Sequence, residues 1–433
     1  MRTSTLRLSA SLLALSTVMA ASMAASGTAT ATARLGGPSA GRDRPGTVWS
    51  AGWAAPVQRP SSGFEKNWAE GGFAERTAQT LRQVVRVTGG GTAARIRLSN
   101  RYGTAPLRIA GATIARTAHG ASVHGASLRA LTFGHRRSAE IPAGGETVSD
   151  AAPLRVAARQ PVTVTLYFDR PTGPATFHAQ AYARSFRADG DHRADRAGAA
   201  FTETTNSWYY LSDVEVTGGP RQRGTVVAFG DSITDGFGST YGADHRWPDL
   251  LAERLAAVGT PRPVLNSGIG GNLLLHDSAW YGDRAGARFT RDVLDKPGVR
   301  SVILLEGLND IGFSEVDLPT YKPNPQVSAD EVIAGYRELI ALAHARGIKV
   351  IGGTILPFKG AEYHTARSEA KRAAINDWVR TSGAFDAVVD FAEVMAAPSD
   401  PLRLNPAYDS GDFKHPNDAG YRRMAEAVDL ATL

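Results

Sequence analysis

The sequence predicts an α/β domain built on a parallel sheet covered on both faces, preceded by an antiparallel β-sandwich. Residues 47 to about 219 read as short alternating strands between turns rich in glycine and proline. Beyond Thr217-Gly218-Gly219-Pro220 the texture changes, and apolar β-prone runs alternate with amphipathic helical patterns. That alternation is the signature of parallel βαβ units. One apolar run, Val226-Val227-Ala228-Phe229, stops abruptly at Gly230-Asp231-Ser232. It sets a small hydroxyl where a buried strand meets its turn, the edge at which open α/β sheets bind ligands.

In the first half, residues 92–99 alternate, with Ile96 and Leu98 on one face and Arg95 and Arg97 on the other. Residues 160–168 alternate as well, with Val162, Val164 and Leu166 on one face and Pro161 at the tolerated strand start. Residues 81–87, 107–114 and 213–216 are further strands. Gly89-Gly90-Gly91, Tyr102-Gly103, Gly144-Gly145 and Pro171-Thr172-Gly173 are the turns between them. Trp208, Tyr209 and Tyr210 suit core packing on a strand better than an exposed aromatic platform for a ligand.

In the second half the expected strands are 225–229, 264–266, 301–305, 349–352 and 387–391. Trp247, Leu250, Leu251, Leu255 and Val258 recur at helical spacing. Ser328-Ala329-Asp330-Glu331 is a capping box that opens a helix carrying Val332, Ile333, Tyr336, Leu339 and Ile340. Ala374, Ile375, Trp378 and Val379 mark a third helix, and a last one runs from about Asn417 toward Leu430. The boundary between the halves falls near residues 217–224.

Arg2 and Arg7 precede the apolar run 8–25, and small residues follow to Ala31-Thr32-Ala33. This is the layout of a secretory signal peptide with an Ala-x-Ala cleavage site, and a membrane anchor is the less favoured alternative. The expected organisation is a signal peptide (1–33), a flexible leader (34–46), a β-sandwich accessory domain (47–220) and a catalytic domain (221–433). The 433 residues carry 48 Lys and Arg against 42 Asp and Glu, with no dense basic block, which argues against nucleic acid as a partner. No cysteine is present, so disulfides, a thiolate nucleophile and Cys-ligated metal are excluded. No close histidine pair stands at a metal-ligand spacing with a nearby carboxylate, and neither metal nor cofactor is expected. No later segment is apolar enough to span a bilayer. An extracellular monomer without stable membrane insertion is the expectation.

Four segments of the second half carry chemistry: Gly230-Asp231-Ser232, Asn266 to Asn272, Glu306 to Asp310, and Asp412 to Pro416. Three follow strands and the fourth leads into the last helix. Acyl transfer needs a nucleophile, a base, a residue that orients the base, and donors for the developing oxyanion. Ser232 can be the nucleophile and His415 the base. Asp412, three residues earlier, can fix the imidazole tautomer and stabilise the imidazolium. Oxyanion donors can come from the Ser232 backbone, from an N–H of the glycine-rich loop, and from the Asn309 amide. Asp231 reads as a structural turn residue. Gly268, Gly270 and Gly271 lack the third glycine of a dinucleotide fingerprint. His276 and His364 suit solvated or packing roles. Ser232 lies in Gly-x-Ser-x-Thr, so the strained elbow of the Gly-x-Ser-x-Gly hydrolases is not indicated.

In order and spacing these segments resemble the four sequence blocks of the SGNH (GDSL-type) hydrolase family. Gly230-Asp231-Ser232-Ile233 is similar to its Gly-Asp-Ser-Leu block, with Ile for Leu. Ser267 to Asn272 resembles the glycine block, where Gly271 best matches the oxyanion glycine and Gly268 and Gly270 lie close by. Gly307-Leu308-Asn309-Asp310 resembles the Gly-x-Asn-Asp block, and Asp412-x-x-His415 the Asp-x-x-His block. The resemblance covers about residues 221–433. It implies a flavodoxin-like three-layer α/β/α sandwich and cofactor-free ester hydrolysis, with Ser232, His415 and Asp412 as triad and Ser232, Gly271 and Asn309 as oxyanion hole. The whole chain is also similar to exported actinobacterial members with an N-terminal β-domain. The family spans lipases, phospholipases, thioesterases and carbohydrate acetylesterases, so a small-molecule, lipid or polysaccharide ester is the expected substrate. No long apolar stretch marks a lid, which favours short acyl groups. The alternative is a polysaccharide- or cell-wall-binding protein on an inactive hydrolase scaffold.

Overall fold

Five parallel strands set the position of everything that follows. In the computed structural model, which describes residues 47–63, 65–219 and 224–433, their spatial order is Val264–Gly268, Thr225–Gly230, Val299–Leu305, Lys349–Gly353 and Ala387–Val389. All neighbouring pairs are parallel. Numbered along the chain this is 2-1-3-4-5, the flavodoxin-like order, whose switch point lies between the first and third strands. Thr225–Gly230 is buried at every residue, as a strand covered on both faces should be.

The helices fall into two packed groups. Trp247–Ala257, Phe391–Met395 and Asp418–Ala427 pack together, and Ala285–Phe289, Ala329–His344 and Ala366–Thr381 form the other group. The capping box forms: Ser328 Oγ accepts from Glu331 N at 3.2 Å, and Glu331 Oε2 accepts from Ser328 N at 2.7 Å. Val332, Ile333, Tyr336, Leu339 and Ile340 then line the buried face. Asn417 opens the last helix by accepting from Gly420 N at 3.0 Å.

Three expectations shift in detail. The last strand ends at Val389 because Asp390 caps the helix Phe391–Met395. Val258 lies just past its helix and is 59% exposed. The run 107–114 is two strands. Leu107–Ile109 pairs with Ala139–Ile141 and Gly111–His119 with Pro161–Phe168, so the chain changes partner at Ala110.

The first half is antiparallel. A four-stranded sheet runs Ser50–Ala54, Leu211–Thr217, Ala93–Ser99, Glu146–Val148. A larger sheet centres on Gln79–Arg86, flanked by Pro161–Phe168 and Ser185–Asp189. Leu81, Val85, Ile96, Leu98, Val164 and Leu166 fill the core between them. Trp208, Tyr209 and Tyr210 are buried in that core, with Trp208 Nε1 donating to Val84 O at 3.1 Å.

The described residues belong to one unit, and the two halves meet along the edge strand Val264–Gly268. Ser50–Ala54 lies beside that strand, and Ala51 and Ala54 join the second half's core. The Thr88 hydroxyl accepts from Val264 N at 3.1 Å and donates to Val264 O at 2.9 Å. This occupies backbone groups that an edge leaves open. Lys296 pairs with Asp213 at 2.6 Å, both almost fully buried. The expected signal peptide, the leader and the 220–223 part of the boundary lie outside the described residues. Among the described residues, no helix is long and apolar enough to cross a membrane.

Removing Lys296 would leave the buried Asp213 with only the longer contact to Arg97 at 3.6 Å. Lys296→Met should therefore lower the unfolding free energy by roughly 3 kcal/mol. Urea denaturation followed by fluorescence measures this, and an unchanged midpoint would contradict a structural role for the pair.

Candidate active site

Every segment singled out from the sequence reaches the C-terminal edge of the parallel sheet. Thr225–Gly230 ends in Asp231, whose Oδ1 accepts from Ile233 N at 2.9 Å and caps one helical turn, Ser232–Asp235. Asp231 is thus a turn-forming residue. The turn presents Ser232, whose Oγ lies 2.8 Å from His415 Nε2. His415 Nδ1 donates to Asp412 Oδ2 at 2.5 Å. Asp412 Oδ1 accepts from the backbone of Lys414 (3.2 Å) and His415 (2.9 Å), so one carboxylate both folds the turn and orients the ring. With Nδ1 committed as a donor, Nε2 is left to accept from the Ser232 hydroxyl. Burial pushes the Asp412 carboxyl upward, but the bond and charge of His415 and the two N–H groups outweigh it and hold the pKa well below the usual range. Phe413, between them, sits at φ +66°, a turn conformation that non-glycine residues rarely adopt. The Phe237 ring covers His415 at a centroid distance of 4.3 Å.

The glycine loop follows the edge strand. Gly268 N donates to Asn266 Oδ1 at 2.9 Å and Gly270 N to Asp235 Oδ2 at 2.9 Å. Among the described residues, Gly271 N has no hydrogen-bond partner. Gly271 has φ +71°, and a Cβ there would come within 2.3 Å of the Tyr281 ring, so glycine is required. Asn309, in the turn after Val299–Leu305, donates one amide hydrogen to Asn272 O at 2.9 Å. Its neighbour Asp310 accepts from Leu274 N (2.8 Å) and Leu275 N (3.0 Å), tying the end of the glycine loop to the same turn.

Arg288, fully buried, lies under these loops. Its guanidinium donates to Gly230 O (2.9 Å), Ser267 O (2.7 Å) and Asn272 Oδ1 (2.8 Å), and reaches Glu306 Oε1 at 3.2 Å. Asp231, Glu306 and Asp310 crowd the same region. Burial, reinforced by Asp310, pushes Asp231 up to about 7 against the pull of Ile233 N–H and Arg288. Burial raises Asp310 to about 6, and burial with the charge of Asp231 pushes Glu306 well above the usual carboxylate range.

Ser232, Gly270, Gly271, Asn309, Asp412 and His415 open onto one cavity of about 250 Å³. Its aromatic walls are Phe237, Tyr281, Phe313, Tyr321 and Tyr363. Phe313 and Tyr321 stack at 4.0 Å. Lys414 and Gln180 also line it, and Gln180 comes from the first half of the chain. His276 and His364 do not. Sequence reasoning missed Arg288, Asp235, Gln180 and the tyrosine walls. Of these only Asp235 carried a local signal, being in the same short turn as Ser232.

Residues 228–423 match the GDSL-like Lipase/Acylhydrolase family. This half of the chain is a GDSL-like acylhydrolase domain, and the protein is an ester hydrolase. Solved structures similar to it include a GDSL-like lipase from Bacteroides thetaiotaomicron (21% identity, 48% of this chain, 87% of that one, TM-score 0.35). An acetylxylan esterase from Geobacillus stearothermophilus is 25% identical over 48% of this chain and 92% of its own, with TM-score 0.36. An alpha/beta hydrolase from a Lake Arreo metagenome is 23% identical over 49% and 95%, with TM-score 0.38. No curated protein matches the chain.

The raised Asp231 makes a signed prediction for this acylhydrolase. The native state keeps a proton that the unfolded chain releases near pH 4. That contribution is complete below pH 4 and is lost as pH rises through about 7. Asp231→Asn removes the titration while keeping an acceptor for Ile233 N–H. The stability of the variant relative to the wild type should rise steadily between pH 4 and 7 in urea titrations, and a pH-independent difference would contradict it.

Proposed function

We propose that the chain hydrolyses short-chain carboxylic esters through an acyl-enzyme on Ser232. The carrying observation is the continuous Ser232–His415–Asp412 hydrogen-bonded chain opening on a small cavity. As Ser232 Oγ bonds to the ester carbonyl carbon, His415 Nε2 takes its proton, and Asp412 stabilises the imidazolium. The carbonyl electron pair moves onto oxygen. That oxyanion is met by the backbone N–H groups of Ser232 and Gly271 and by the second Asn309 amide hydrogen. Collapse expels the alcohol, which receives the His415 proton. Water, deprotonated by His415, then attacks the acyl-Ser232 carbonyl; the acyl–Oγ bond breaks, Ser232 Oγ takes the proton back from His415, and the acid is released.

Two of these donors have support in the hydrogen bonding. Gly268 N is occupied by Asn266 Oδ1 and Gly270 N by Asp235 Oδ2, which leaves Gly271 N. The bond to Asn272 O aims the Asn309 amide and leaves its other hydrogen available. The cavity lies at or below the roughly 300–1,000 Å³ of pockets for drug-sized ligands. It suits an acetyl or similarly short acyl group better than a long lipid chain. The alcohol side is a small alcohol or a carbohydrate hydroxyl. We also infer export, from the charged, apolar and small-residue regions of residues 1–33.

Ser232→Ala should abolish hydrolysis of p-nitrophenyl acetate, and Asn309→Ala should lower kcat by about 10²–10³. In an acyl-chain series kcat/KM should peak at two to four carbons. Equal or higher activity on the palmitate ester would exclude the short-acyl reading. Protein recovered from the culture medium of a secreting host should begin close to Arg34 by N-terminal sequencing.

A further inference from the structure

We propose that His178, in the first half of the chain, is a positioning residue of the active site, acting through Asp235 on the glycine loop. The argument begins with how His178 is held. Its strand, Phe177–His178, pairs with Trp208–Tyr209, and its ring stacks on Trp208 at 5.5 Å. Nδ1 lies 3.0 Å from Pro56 O and Nε2 lies 3.0 Å from Asp235 Oδ1. A carbonyl can only accept, so Nδ1 carries a hydrogen, and a single proton lies between Nε2 and the carboxylate. Both side chains are 2% exposed. Neither has water to reorganise around it, so the geometry is fixed from the first half of the chain.

Asp235 transmits that geometry. Its Oδ2 accepts from Gly270 N at 2.9 Å. The fit is tight: a Cβ on Gly268 would lie 2.2 Å from Asp235 N, and one on Gly270 would lie 1.8 Å from Gln180 Oε1. The loop is therefore clamped between the turn that carries Ser232 and the segment that carries His178. The next N–H along the loop is that of Gly271. A peptide plane fixed at Gly270 sets where that N–H points, and misplacing a catalytic donor by about 1 Å costs about 10²-fold in rate. This inference rests on the reading of Gly271 as an oxyanion donor given above.

The residues can be tested in the full chain. His178→Ala and Asp235→Ala should each lower kcat for p-nitrophenyl acetate by about 10²-fold, with KM changed by less than roughly threefold. Both should weaken a reversible boronic acid inhibitor, whose boronate oxygen occupies the oxyanion position, by a similar factor. Asp235→Asn is the conservative rescue. Its side-chain carbonyl can accept from Gly270 N, and its amide can donate to a neutral His178 whose Nδ1–H stays on Pro56 O. It should recover kcat to within about fivefold of the wild type. Should His178→Ala fail to fold, His178→Asn keeps a donor for Pro56 but cannot reach Asp235, and it should show the same kcat loss. A merely structural pair would lower Tm and the active fraction without weakening inhibitor binding in the folded protein. Activity retained by Ser232→Ala would overturn the acyl-enzyme reading and this role with it. An inactive Ser232→Ala beside folded His178→Asn and Asp235→Ala proteins of near-normal kcat would leave that reading standing and overturn only the role of His178.

Discussion

The Arg288 guanidinium is the constraint on which the rest of the site depends. The first two parallel strands and the turn after the third converge on this buried group. Arg288 donates to Ser267 O and to Gly230 O, which also accepts from Ile269 N at 3.0 Å, and it holds the Asn272 side chain, which in turn donates to Tyr281 O and Asp283 O. A planar group with five donors suits this task in a way lysine does not. The cost is a buried positive charge. Asp292 and Glu306 offset it, and burial pushes Asp231, Glu306 and Asp310 toward their neutral forms, with neighbouring carboxylates adding to the shift at Asp231 and Glu306. This edge of the sheet therefore rests on a charge network that lies beneath the cavity and does not line it.

The reactive face is built by contrast from short local devices. Asp231 caps a single turn, Asp412 closes a four-residue turn on its own histidine, and Asp310 pins the end of the glycine loop. Each carboxylate accepts backbone N–H groups, and each thereby converts a flexible connection into a fixed one. The cavity walls come from elsewhere. The aromatic walls are drawn from segments far apart in the chain, Phe237, Tyr281, Phe313, Tyr321 and Tyr363, and Gln180 reaches in from the first half.

This division explains how much could be read from the sequence. The parallel strands were legible because full burial requires unbroken apolar runs, as in Thr225–Gly230, and the capping box at Ser328 was legible because its partners lie three residues apart. Ser232, Asn309, Asp412 and His415 stood out because each lies in a compact block at a strand end or helix start. His178 and Arg288 carried no such signal. Their partners are distant, Asp235 for one and Gly230, Ser267 and Asn272 for the other, and nothing in their immediate neighbours distinguishes them from ordinary core or surface residues. The choice among Gly268, Gly270 and Gly271 was also closed to periodicity, because it turns on which N–H groups are already occupied.

The seam along Val264–Gly268 has a consequence for where the chain can be divided. The strand that leads into the glycine loop is also the open edge of the parallel sheet, and Thr88 and Ser50–Ala54 cover it. A fragment beginning near Thr225 would expose that edge to pairing with other copies of itself, a route to aggregation. Cutting this chain between its halves thus removes the cover of a sheet edge as well as a domain, and insertions are best tolerated away from this line of contact.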